Sequence, residues 1–85
     1  MPHVFSPSPI QKKIIQFFHR HPNAIETARG IASWLTVDSH SIQEAVDDLV
    51  VWKWLTVHQA AAVVGYALTE NERILAQIRE VLKVF

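Results

Sequence analysis

Asp38-Ser39-His40-Ser41 places the three side-chain types of a hydrolytic triad within four consecutive residues, and that closeness rules the chemistry out. Consecutive residues at a helix start project in different directions, so carboxylate, imidazole and hydroxyl cannot converge on one reacting atom. Helix capping is the role these residues fit. The five histidines, His3, His19, His21, His40 and His58, include no pair at i and i+4, the helical spacing that presents two imidazoles to one zinc ion. Asp47 and Asp48 are adjacent and stand about 100° apart around a helix, so they are no carboxylate pair sharing a site. Two glycines, far apart in the chain, supply no phosphate-cradling loop. Without cysteine there is no thiolate metal site and no disulfide framework, which fits a reducing cytoplasm. No enzyme, metal or cofactor is expected. Ser39, His40, Gln43, Glu44 and Asp47 instead face outward at the front of one predicted helix, with Asp48 beside them.

The elements that position this row are legible from period and caps. Asp38 starts a helix that runs to about Lys53, with Ile42, Ala45, Val46 and Leu49 turned inward at helical spacing. Before it, Asn23 reads as an N-cap and Glu26 as its capping-box partner, opening a helix whose core face is Ile25, Ala28, Ile31, Ala32 and Leu35. Gly30 lies inside that helix at a cost of about 1 kcal/mol relative to Ala, which predicts a close helix contact there. Trp34 falls between the core positions and is expected to be partly exposed. Thr36-Val37-Asp38 is then a three-residue turn between two helices.

An earlier helix begins at Ser8-Pro9-Ile10-Gln11, with Ser at the cap, Pro at the first turn and Gln closing a capping box. Ile10, Ile14, Phe17 and Phe18 form its apolar stripe, and Pro22 ends it at His21. Residues 1–7 read as an irregular arm. From Trp54 the period changes to strand, and Trp54 to His58 and Val63 to Leu68 form a hairpin. Its connection, Gln59 to Ala62, lacks Gly, Asn and Asp, leaves the turn type open and has room for one helical turn. Thr69 and Glu72 make a third capping box, opening a helix that continues to Phe85. Ile74, Leu75, Ile78, Val81, Leu82 and Phe85 give it a broad apolar face, and Leu75/Leu82 and Ile78/Phe85 repeat every seven residues as in a coiled-coil seam. The expected core is Ile14, Phe17, Ala32, Leu35, Ile42, Val46, Leu49, Trp54, Leu55 and Leu68.

The phrase IASWLTVDSHSIQEAVDDLVVWKWL, with small Ala32 between the helices and Val37 plugging the turn, resembles the winged helix-turn-helix domains of small bacterial and archaeal transcription regulators. The resemblance covers nearly the whole chain. It implies a mainly α fold with a small β-hairpin: a three-helix core, a wing and a C-terminal helix. Tyr66-Ala67-Leu68-Thr69-Glu70 also resembles the wing-exit phrase of dimeric regulators, in which the next helix builds the dimer interface. By that resemblance Ile74, Leu75, Ile78, Leu82 and Phe85 are the dimer residues of a homodimer; the alternative is that the N-terminal arm, through Val4 and Phe5, or the first helix covers this stripe within one chain. Duplex DNA is the implied partner, with Ser39, His40, Gln43 and Glu44 facing base edges and Lys12, Lys13, Arg29 and Lys53, joined by Arg20, facing phosphates. That family normally places Lys or Arg among the positions of Glu44, Asp47 and Asp48, and commonly Gly at Thr36 and Lys53.

Composition pulls the other way. The chain of 85 residues is long enough for one domain with one modest core, spanning residues 1–85, and 49% of its residues are hydrophobic. Eight basic residues cancel eight acidic ones, so the domain lacks the net positive field that draws proteins to phosphate. The longest aliphatic run, Ala60 to Val64, is far short of a membrane span, and the N-terminus carries no signal-peptide pattern, so a cytoplasmic protein is expected. A second reading therefore stands beside DNA binding: the same fold acting as a protein-interaction or assembly module.

Overall fold

Ser8 starts the first helix as its sequence implies, its hydroxyl accepting from the Gln11 N–H while the Gln11 side chain accepts from the Ser8 N–H. The computed structural model describes residues 6–83. These form α1 (Pro9–Arg20), β1 (Ile25–Glu26), α2 (Ala28–Leu35), α3 (Ser39–Val51), β2 (Leu55–Ala60), β3 (Val63–Leu68) and α4 (Glu72–Lys83), a winged helix-turn-helix. Val4, Phe5 and Phe85 lie outside the described residues.

The three antiparallel strands lie in the order β1-β3-β2. Ile25 is opposite Ala67 and Glu26 opposite Tyr66, while β2 and β3 pair from Leu55↔Leu68 to Ala60↔Val63. The expected start of the second helix at Asn23 is thus wrong. Ile25 and Glu26 are extended, Ile25 is exposed rather than in the core, and the N-cap is Thr27, whose hydroxyl accepts from the Gly30 N–H at 3.0 Å. Gly30 makes no helix contact of the kind expected. A Cβ there would lie 2.6 Å from Glu26 Oε2 and 3.2 Å from Thr27 Oγ1, so the crowding comes from its own helix's entry. At Gly65 a Cβ would meet Ile25 Cγ2 at 2.8 Å, so the glycine lets β1 lie close over β3.

Both helix exits near α3 turn through the left-handed region. Thr36 has φ 57° and Lys53 φ 66°, and these are the two positions at which the resemblance places glycine. After each, an amide reaches back five residues: Val37 N–H donates to the Ala32 carbonyl at 3.1 Å, and Trp54 N–H to that of Leu49 at 2.9 Å. Those bonds satisfy helix-end carbonyls that would otherwise be orphaned. The wing turns in two residues, Ala61 and Ala62, with Ala61 at φ 54°, and has no helical turn. The fourth helix is capped by Asn71, whose side-chain oxygen Oδ1 accepts from the Arg73 and Ile74 amides. Thr69 instead accepts from the Asn71 N–H, so the expected Thr69–Glu72 box is displaced by two residues.

The core joins Ile14, Ile15 and Phe18 of α1 to Ile31, Ala32, Ile42, Ala45, Val46 and Leu49 of the helix-turn-helix and to Trp54, Leu55, Tyr66, Leu68 and Ile78. Each large aliphatic side chain hidden this way contributes about 1.5–3 kcal/mol of transfer free energy. Phe17 and Leu35, expected inside, are only partly buried, because the buried face of α1 runs Gln11, Ile14, Ile15, Phe18 and leaves Phe17 at its edge. The Gln11 amide nitrogen donates to the Ala45 carbonyl at 3.3 Å, tying α1 to the middle of α3.

Candidate nucleic-acid interface

Asp38 fixes where α3 begins. Its carboxylate accepts from the Ser41 N–H at 2.9 Å and from the Ser41 hydroxyl at 2.8 Å, and these two bonds, the backbone one first, hold its pKa below the ordinary carboxylate value. The helix then buries Ile42, Ala45, Val46 and Leu49. Ser39, His40, Gln43, Glu44, Asp47 and Asp48 are all left exposed on its other side. His40 Nε2 meets Glu44 Oε1 at 2.7 Å one turn apart, with both side chains largely in solvent.

Gln43 is held more firmly than its exposure suggests. Its amide nitrogen donates to Asp47 Oδ1 at 2.9 Å and to the Tyr66 hydroxyl at 3.0 Å. An ionised carboxylate only accepts, so the nitrogen rather than the oxygen faces Asp47. Both amide protons are thereby used within the domain, and the carbonyl oxygen is the group that Gln43 presents. Tyr66 was not singled out for this role by the sequence. Its pairing with Gln43 bridges 23 residues and appears only once β3 packs against α3, and Tyr in a strand is an ordinary core letter.

The basic residues come from several elements. Lys12 and Lys13 lie on α1, Arg29 in the first turn of α2, and Lys53 follows the end of α3. Lys13 and Arg20 line one groove between α1 and α2, with Phe17, His21 and Trp34. The depression between α1 and α3 holds Glu44 and Asp48 instead, with Ser8, Gln11 and Ser41. The wing from Gln59 to Ala62 is exposed and carries no charge. Among the described residues no three His, Cys, Asp or Glu side chains come together to hold a metal, and no helix is long and apolar enough to cross a membrane.

On α4, Ile78 is fully buried in the core, which removes it from any dimer surface. Ile74, Leu75 and Leu82 pack against the core and stay partly accessible. Leu75 and Leu82 border depressions that also include Arg79 and His19.

No protein-family model matches the chain, and no curated protein is similar to it in sequence. Solved structures match its fold. A point mutant of ZitR from Lactococcus lactis superposes with a TM-score of 0.72 at 17% identity, over 98% of this chain and 56% of that one. The transcriptional regulator BldR from Sulfolobus solfataricus gives 0.69 at 20% identity, over 91% and 56%. A ZitR mutant in complex with DNA gives 0.65 at 20% identity, over 94% and 63%. This chain thus spans between 56% and 63% of the length of these three. At such identities the likeness is one of fold.

Proposed function

We propose that this domain binds duplex DNA as part of a transcription regulator, presenting the front of α3 to the major groove. The observation that supports this best is Gln43, an exposed recognition-helix side chain locked to the wing strand by Tyr66 and to the next turn by Asp47. A polar residue whose orientation is fixed before binding loses little freedom when it meets a base. Held this way, Gln43 offers an acceptor, and Glu44 offers another. The complementary groups in the major groove are the exocyclic amines of adenine and cytosine, so these two residues select amino-bearing base edges. Bidentate reading of adenine by Gln43 requires one of its amide N–H groups to leave its hydrogen bond to Asp47 or Tyr66. Ser39 and His40 stand beside them, and Lys12, Lys13, Arg29 and Lys53 are the phosphate contacts of this reading. The domain acts as a homodimer through the accessible parts of Ile74, Leu75 and Leu82.

A second reading is favoured by one specific observation: the exposed side of α3 carries Glu44, Asp47 and Asp48, and the wing carries no cation to offset them. In that reading the same face docks on a protein. A salt titration of duplex binding separates the two, because each phosphate contact adds about 0.9 to the slope of log affinity against log salt. Binding that weakens steeply with salt, with a sequence preference altered by Gln43→Ala and by Tyr66→Phe, supports the DNA reading. Absence of duplex binding at low salt leaves only the protein partner.

A further inference from the structure

Between α1 and α2 lies a groove in which two cations, Arg20 and Lys13, the latter also a proposed phosphate contact, flank an aromatic wall. Lys13, Gln16 and Arg20 follow one another at i, i+3 and i+7, so they line one side of α1 with the cations about 10 Å apart along its axis. Facing them from α2 is Trp34, 67% exposed. The wall is anchored inward: Phe18 is fully buried, Phe17 meets it edge-on at 5.2 Å, and Phe17 lies 5.8 Å from Trp34 and 5.2 Å from His21. Neither Lys13 nor Arg20 forms an ion pair among the described residues. No acidic residue occurs in the sequence before Glu26, so no carboxylate on α1 competes for them.

We infer that this groove binds a nucleobase carrying a phosphate, the base stacking on Trp34 and the phosphate meeting Arg20 or Lys13. An exposed indole beside cations is the platform that single-stranded nucleic acids use, because every base has a π-face and the backbone follows the positive charge. The apolar lining is mainly aromatic, Trp34 and Phe17 with Leu35 beside them, which suits a flat ligand. Duplex DNA cannot occupy it, since its bases are stacked on one another. Gln16, between the cations, has the amide to bond a base edge. The source is either a free mononucleotide or an unpaired strand.

Adenosine monophosphate and a short oligothymidylate, titrated into the intact domain at low salt, test this. Trp34 is the most exposed of the three indoles, so binding quenches the emission of the wild type. By calorimetry Trp34→Ala and Arg20→Gln each weaken binding about tenfold or more, with an unchanged circular dichroism spectrum, because both side chains are exposed. Binding of the mononucleotide alone identifies a free nucleotide as the source; much tighter binding of the oligonucleotide identifies a strand. Failure of both probes to bind the wild type overturns the inference, as does binding that Trp34→Ala leaves intact. Binding of polyglutamate in place of both probes overturns it in favour of an acidic protein segment. A duplex titration with Gln43→Ala, run in parallel, reports on α3 alone, so the two readings fail separately.

Discussion

Leu49 is fully buried where α3 meets the other core elements, and its carbonyl also receives the Trp54 amide. Cutting it to Ala leaves the backbone bond and removes only the side chain, so the expected loss of about 2–5 kcal/mol in urea unfolding is a clean packing cost. A loss below about 0.5 kcal/mol is what a surface residue gives, and would mean that α3 does not bury this face. Asp38 is a different case, since it acts through charge and capping at an exposed site. Its folded pKa is lowered by Ser41, so its contribution is present above the unfolded pKa and is lost as pH falls through the folded value. Asn caps helices about as well as Asp and does not titrate. The melting temperature of Asp38→Asn therefore falls less steeply than that of the wild type between about pH 5 and pH 3. Equal slopes would show that the Asp38 cap does not contribute to acid sensitivity.

At the scale of elements, left-handed geometry at a β-branched residue is the clearest strain in the fold. A non-glycine residue in this region costs about 1–2 kcal/mol, partly offset in a glycine variant by the greater freedom of the unfolded chain. Thr36→Gly should stabilise the domain by about 1 kcal/mol, read as a higher urea midpoint at unchanged slope; a destabilised variant would place the strain elsewhere. The α3 core face, the first capping box and the hairpin were legible in the sequence because each is local: a period, a cap or a run of β-formers within a few residues. β1 was not. A two-residue strand has no period, and its partners Ala67 and Tyr66 lie about forty residues away, while Asn23 and Glu26 imitate a capping box. The same local imitation placed the α4 cap at Thr69 rather than Asn71. The row Ser39, His40, Gln43 and Glu44 emerged exposed, as its spacing implies. The bond from Gln43 to Tyr66 and the placing of Lys13 and Arg20 in one groove with Trp34 needed the packed fold.

For the whole molecule, zero net charge hides an uneven distribution. Residues 1 to 25 hold three cations and no acid, while residues 26 to 48 hold five acids, Glu26, Asp38, Glu44, Asp47 and Asp48, against Arg29 alone. The four proposed phosphate contacts give a salt slope of about −3 to −4 per domain, and Glu44→Gln with Asp47→Asn should raise non-specific affinity if that face approaches phosphate. Assembly bears on the same surface, since a two-fold dimer presents two copies of α3 to two half-sites and doubles the contacts. With Ile78 in the core, α4 is anchored to its own domain, and the proposed surface for a partner copy is the accessible part of Ile74, Leu75 and Leu82. A dimer on this surface should dissociate in Leu75→Gln with Leu82→Gln, while the buried Ile78 keeps α4 in place and helical content is retained. Sedimentation equilibrium across micromolar concentrations reads both outcomes. A wild-type mass that stays monomeric as concentration rises would refute the dimer and halve the phosphate contacts available to one DNA site.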